Sequence, residues 1–323
     1  MLLAPYITFK AGIGQELPAG FDLISLRPGY LLVLLSALAF AVGGNVAKGL
    51  FKLGFSPFLL AQMRIWWAFI WLFISLLVIR PRLLRVARDQ LLPLAIFGTV
   101  GLAAVQLSYY LTIARLNIGV ALLVQYLGLV GITAWERYHR RETVGTQVWV
   151  ALLMVLVGAF LAVGAYQPAL LRVNLPGVLL GLLSAAFLAF YMLRASTLAR
   201  RLDTWTILLY GFGAGSLLWV GYDAVTRTGL PVDWRIWLWM ALIGLLGTLL
   251  GHALFVRAVR TIRASAAGIV STAEPVFAGV IAFLFFGDRL QPLQLLGATI
   301  IIAGIITVQA GARETSVTAP VPQ

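Results

Sequence analysis

Hydrophobic and polar positions alternate on a coarse scale along this chain. Ten apolar stretches, at about 30–50, 57–79, 91–113, 118–136, 146–165, 176–194, 205–222, 236–257, 264–286 and 291–309, are separated by short polar runs. Each is long enough for a single helical crossing of a hydrocarbon layer roughly 30 Å thick. The pattern therefore predicts an all-α integral membrane protein of ten transmembrane helices. The longest interior loops, around 81–90 and 223–235, are too short to fold as a soluble domain. Residues 1–29 place Lys10, Glu16, Asp22 and Arg27 among short apolar pieces, without the uninterrupted core of a signal peptide, so the first crossing is expected to be retained. Residues 310–323 are rich in Thr, Val and Pro and are expected to form a disordered cytoplasmic tail.

The pattern also repeats. Pro28–Ala37 reads PGYLLVLLSA and Pro176–Ala185 reads PGVLLGLLSA, each opening an apolar stretch. Further on, Gly98 and Gly101 match Gly244 and Gly247, Gln106 matches His252, Glu142 matches Asp288 and Gly158 matches Gly304, all at a spacing of 146. A fixed offset of this kind marks an internal duplication, which divides the chain into helices 30–165 and 176–309.

Charge then orients the duplication. Sixteen basic residues, among them Arg80, Arg82, Arg85, Arg137, Arg200 and Arg260, fall on one side of the ten crossings, and seven fall on the other. The excess of Arg and Lys on cytoplasmic loops places both termini in the cytoplasm. Five crossings per copy is an odd number, so the second copy is expected to lie inverted relative to the first.

Composition narrows the chemistry. With 61% hydrophobic residues and 11% charged ones, the chain could not keep a soluble surface wet. The absence of cysteine removes disulfides and thiolate chemistry, and two histidines make no imidazole cluster. The net charge of +13 is accounted for by loop arginines, so no nucleic-acid partner is expected. No phosphate-binding loop or prosthetic-group motif is present, so no cofactor is expected and any energy source must be a gradient.

Polar side chains inside the apolar stretches are costly in lipid and should face a bundle or a cavity. Asn45 and Lys48 are three residues apart and share a face of the first helix, with Lys48 near enough to its end to snorkel. Gln106 and Tyr109 share a face of the third, and Gln125 and Tyr126 are adjacent in the fourth. Gln106, Tyr109, Tyr126 and His252 are expected to converge on a substrate site, with Tyr191 added to it. In the ninth stretch Pro275 cannot donate its backbone bond and crowds the carbonyl of Ser271, so a bend is expected there. Glu274 beside it is read as an interhelical anchor, with proton coupling as the other role open to it. Arg64, beside Trp66, Trp67 and Trp71, reads as an interfacial cation within an aromatic belt, with an anchor for a substrate carboxylate as the other role open to it.

The Glu274-Pro275 pair, the run GDRL from Gly287 to Leu290 and the closing helix LLGATIIIAGIITV resemble the EamA-type drug/metabolite transporter superfamily. Within it, Gln125-Tyr126-Leu127 is similar to the motif of the YddG type of amino-acid exporter. The first-half motif departs from the pattern, because Leu129 stands where Pro275 stands in the second half. The resemblance implies a secondary transporter in which two inverted five-helix repeats rock about a central cavity. Its partners would be the bilayer and a small amphipathic substrate, such as an aromatic amino acid for export across the inner membrane, with the chain acting as a monomer. A multidrug or other metabolite exporter of the same fold is the first alternative. An intramembrane lipid-modifying enzyme would need paired acid/base groups or a metal cluster, and the sequence supplies poor material for either.

Overall fold

The computed structural model describes residues 27–52, 55–167, 174–226, 233–287 and 290–317, and the regular structure among them is helical. Ten long helices are α1 (Pro28–Lys52), α2 (Pro57–Ile79), α3 (Arg88–Ile113), α4 (Gly119–His139), α5 (Thr146–Ala162), α6 (Leu175–Ala199), α7 (Thr204–Thr226), α8 (Trp234–Ala258), α9 (Ala264–Phe285) and α10 (Pro292–Val317). Nine are long and apolar enough to cross a bilayer, and α5 is shorter at 17 residues. Two ends differ from expectation. The sixth helix runs on to Ala199 and takes Arg194 out of its loop. The tenth runs on to Val317, so residues 310–317 are helix rather than tail. Residues 1–26 and 318–323, Asp288 and Arg289, and the side chain of Lys48 lie outside the described residues.

In lipid the backbone has no water to bond, so each helix must satisfy its own N–H and C=O groups or find partners at its ends. Pro28, Pro57, Pro176 and Pro292 stand in the first turns of α1, α2, α6 and α10, where a missing N–H costs nothing. Asn117, Asn174 and Asp233 accept the N–H groups of Gly119, Gly177 and Arg235 at 2.9, 2.8 and 2.9 Å, capping α4, α6 and α8.

Three pairs of helices five places apart, α5 with α10, α2 with α7 and α4 with α9, pack antiparallel. On α5 and α10, Gly311 faces Gln147 while Gly304 faces Val155. On α2 and α7, Phe58 stacks on Tyr222, and at the other end the hydroxyls of Thr206 and Tyr210 donate to the carbonyls of Leu83 and Leu84. On α4 and α9, Gly268 meets Leu129 while Ala264 and Ser265 meet Glu136. The other neighbours come in mates as well. The first helix packs on α8 and α9 as α6 packs on α3 and α4, and α2 packs on α8 as α7 packs on α3. Exchanging the first five helices for the last five leaves this set of neighbours unchanged.

Two pairs of irregularities obey the same exchange. Phe97–Ala103 in α3 and Ile243–Leu250 in α8 are wound as π-helix, and they start 146 residues apart. The fourth and ninth helices are each interrupted, at Leu127 and at Thr272. Pro275 accounts for the second interruption, since it leaves the Ser271 carbonyl without a helical donor. The first occurs although Leu129 replaces that proline. There the N–H groups of Leu127 and Val130 bond three residues back, to Val124 and Leu127. Close packing provides the reason: a Cβ on Gly128 would fall 2.4 Å from the Ala185 carbonyl oxygen of α6.

Because lipid tails are as apolar as leucine, close backbone contact rather than hydrophobic burial must hold such helices together. The pair α5 and α10 shows it most plainly, since a Cβ on Gly297 would fall 2.4 Å from the Ala162 nitrogen. Gly297→Val is therefore expected to destabilise the protein by about 1–3 kcal/mol or more. Thermal melting in detergent checks this, with Gly221→Ala as the control, because nothing lies within 4 Å of that position.

Candidate functional site

The interruptions of α4 and α9 bring Tyr126 and Glu274 to the middle of the molecule. Tyr126 is the last residue before the first break, and Glu274 stands just past the second. Glu274 lies within electrostatic reach of Tyr109, Tyr110 and Tyr126, and Tyr109 within reach of Tyr126. The Tyr126 side chain is 5% exposed, and its hydroxyl has no hydrogen-bond partner among the described residues. Glu274 itself is half-buried and makes no hydrogen bond or ion pair among the described residues, so the anchoring role expected for it finds no partner there.

Arg64 corrects the sequence reading more sharply. It is not an interfacial cation in an aromatic belt. Its Nε donates to Thr248 Oγ1 at 2.9 Å and its Nη2 to the Gly247 carbonyl at 3.2 Å, at the midpoint of α8. The Tyr110 side chain lies within its electrostatic reach. The π-winding of α8 makes the Gly247 carbonyl available, because at its exit the Gly251 N–H turns to Thr248 instead of reaching four residues back. The neighbouring tryptophans serve helix contact: Trp71 Nε1 donates to the Ala241 carbonyl at 3.0 Å, and Trp67 packs against Gly244.

The remaining candidates divide. Asn45 is buried and donates to Ala41 and, at 3.3 Å, to the Ala278 carbonyl, joining α1 to α9 one turn beyond Glu274. Gln106 keeps a buried carbonyl oxygen without a partner. Gln125 gives its amide to Ser184 at 2.8 Å and so ties α4 to α6. His252, 9% exposed, is ringed by Phe40, Tyr191 and Phe212 at centroid distances of 5.0, 5.7 and 5.6 Å, and its Nδ1 engages the Thr248 carbonyl. Tyr191 stacks on Phe97 and Phe255, and its hydroxyl has no partner. His252 and Tyr191 thus form an aromatic cluster of their own. Ser271 turns its hydroxyl back onto Gly268, and Pro275 is half-buried at the bend.

The two halves also differ at a matching pair on α1 and α6. Gly44, offset by 148 residues from Met192 as Pro28 is from Pro176, has nothing within 4 Å of where its Cβ would sit. Met192 extends its sulfur across to α9, to within 3.3 Å of the Cβ position of Gly268.

Sequence reading did not single out Glu136. Its carboxylate, 1% exposed, accepts the N–H groups of Ala264 and Ser265 and so caps α9 from the end of α4. It closes the apolar stretch 118–136 next to loop arginines, and nothing in that local pattern sets it apart. Nearby, the Arg263 guanidinium donates to the Thr143 carbonyl and lies 3.6 Å from Glu142. Two polar clefts open at this same end of the molecule. One, of about 630 Å³, includes Arg80, Arg257 and Arg260, and the other, of about 560 Å³, includes Arg27 and Arg263. Among the described residues no three acidic or histidine side chains gather into a metal site.

The EamA-like transporter family profile matches residues 27–164 and 175–309, one copy on each half. The chain belongs to the EamA-like transporter family. As a family member it is a transporter rather than an enzyme. An uncharacterized inner membrane transporter, YicL of Salmonella typhimurium, is 27% identical over 292 residues, which cover 90% of this chain and 97% of that protein. The threonine/homoserine exporter RhtA of Escherichia coli is 28% identical over 279 residues, covering 84% and 88%. A solved crystal structure with 18% sequence identity superposes with a TM-score of 0.76, covering 89% of this chain and 98% of that one, and so shares the EamA-like fold.

An unpartnered carboxylate and an anchoring one should behave differently on substitution. Since Glu274 bonds to nothing described and an unpaired charge is costly inside a bundle, Glu274→Gln is expected to leave stability unchanged or raise it. Glu136→Ala, which strands two buried N–H groups, is expected to cost about 1–3 kcal/mol. Paired melting curves of the two variants check the contrast.

Proposed function

We propose that the protein is a secondary transporter of the inner membrane that exports amino acids, binding them between α3, α4 and α9 beside Tyr109, Tyr126 and Glu274. The observation that carries this reading is the pairing of a carboxylate and a tyrosine hydroxyl, both without a bonding partner among the described residues, at two helix interruptions. In transporters, interrupted helices near the midplane present polar backbone and side-chain groups to substrate. Tyrosine offers a flat apolar wall with a polar tip, which suits an amphipathic solute with an aromatic body. The likeness to RhtA supports amino acids as the class and brings in small hydroxylated ones as competitors for the aromatic preference.

The mechanism that fits is alternating access by two inverted halves. The antiparallel packing of α2 on α7, α4 on α9 and α5 on α10 supports it. The excess of basic residues on the loops after α2, α4, α6 and α8 supports cytoplasmic termini. Pro275 gives α9 a bend that a moving half can use as a hinge.

Three expectations follow. A reporter fused to the C-terminus should be active only when it stays in the cytoplasm, and activity confined to the exported form would reverse the orientation. In proteoliposomes offered labelled phenylalanine, tryptophan, threonine and homoserine, aromatic substrates should be moved fastest. Tyr126→Ala should weaken apparent affinity by about tenfold, the loss of a buried aromatic contact worth about 1–1.5 kcal/mol. Parent-level transport by both Tyr109→Ala and Tyr126→Ala would place the site elsewhere.

A further inference from the structure

We propose that Arg64 and Glu274 are the two ends of a receptor for a zwitterion, with the carboxylate of an α-amino acid seated on Arg64 and its ammonium group on Glu274. The proposal rests on the amino-acid reading above and assigns the residues that enforce it.

Both groups sit in the interior of a membrane bundle, where an isolated charge is costly. The cheapest arrangement would be a direct ion pair, and the two are within electrostatic reach of each other. They form no such pair. Arg64 is instead spent on neutral partners, the Thr248 hydroxyl and the Gly247 carbonyl, while Glu274 bonds to nothing described. The backbone holds them apart. Arg64 is fixed to α8, which α1 meets through Gly43 against Gly247, and α9 is fixed to the opposite side of α1 through Asn45 and Ala278. Tyr110 lies within reach of both charges.

A positive and a negative group separated in this way match a ligand that carries both charges. Arg64 is preorganised for a carboxylate, because two of its nitrogens are already held and the guanidinium plane is fixed. Tyr109 and Tyr126, near Glu274, would then lie along the substrate side chain. Any ligand with only one charge would leave the other protein group desolvated and unpaired. Discrimination built on an unsatisfied partner is steep.

The test uses the full chain in proteoliposomes. Once a substrate from the amino-acid panel is moved, it is compared with its carboxamide, which lacks the anionic end, and with its deaminated carboxylic acid, which lacks the cationic end. Each analogue should compete at least about 30-fold more weakly than the amino acid. Arg64→Gln should erase the preference for the amino acid over its carboxamide while keeping that over the deaminated acid, and Glu274→Gln should do the reverse. Arg64→Lys should keep the carboxylate preference at lower affinity. A parent protein that accepts the carboxamide or the deaminated acid within about threefold of the amino acid overturns the proposal, and the analogue series decides this even if a variant fails to fold. Retention of both preferences in Arg64→Gln and Glu274→Gln overturns it as well. A parent that moves no amino acid at all removes the export reading instead, which is a different result.

Discussion

Everything distinctive in this molecule depends on where the backbone fails to satisfy itself. A helix in lipid is bound to close every N–H to C=O bond it can, so each unclosed bond must be held open by packing or sequence. Among the described residues such places include the π stretches of α3 and α8 and the interruptions at Leu127 and Thr272. One of them presents the Gly247 carbonyl to Arg64, and two deliver Tyr126 and Glu274 to the centre. The site is therefore a by-product of helix geometry, with side chains added at the points where regular winding stops.

Close backbone contact is what keeps those points open. Glycine lets α8 meet α1 at Gly43 and Gly247, α4 meet α6 at Gly128, and α5 meet α10 at Gly158 and Gly297. At such distances one added methyl group would displace a whole helix. The contacts thus set how far apart the halves stand, and so how much room remains between Arg64 and Glu274. The carboxylate of Glu136 adds a polar tie of the same kind, bonding the start of α9 to the end of α4 where packing alone would leave two N–H groups bare.

Much of this was legible in the sequence. Hydropathy alone placed the helices to within a few residues at most ends, because length and apolarity are imposed by the bilayer. The repeated decapeptide and the spacing of 146 foretold the matching π stretches only as matching glycines, since winding depends on tertiary contact. Proline announced the bend at Thr272. Nothing local announced the one at Leu127, whose cause is a neighbour 57 residues away in sequence, Ala185 opposite Gly128. Arg64 was misread because its position along α2 was taken for its depth in the bundle. A side chain that reaches across to another helix takes its environment from that helix. His252 shows the converse: its counterpart Gln106 suggested a ligand position, whereas three aromatic rings have closed around it.

The vacancy at Gly44 and the thioether of Met192 occupy matching turns of α1 and α6. In a carrier built from two chemically identical halves, the conformer open to one face of the membrane would mirror the conformer open to the other, and their energies would be equal. In the proposed mechanism an exchange of roles would uncover Met192 from Gly268 and gain no equivalent contact at Gly44. The two conformers then differ in population, and a binding-competent state that is only partly populated lowers apparent affinity by that fraction. Half-saturating substrate concentration would accordingly differ between the two faces of the bilayer. The final distribution of solute would not, because a carrier's internal asymmetry cannot move an equilibrium. One methionine would thus give the protein a sidedness visible in kinetics and invisible at rest.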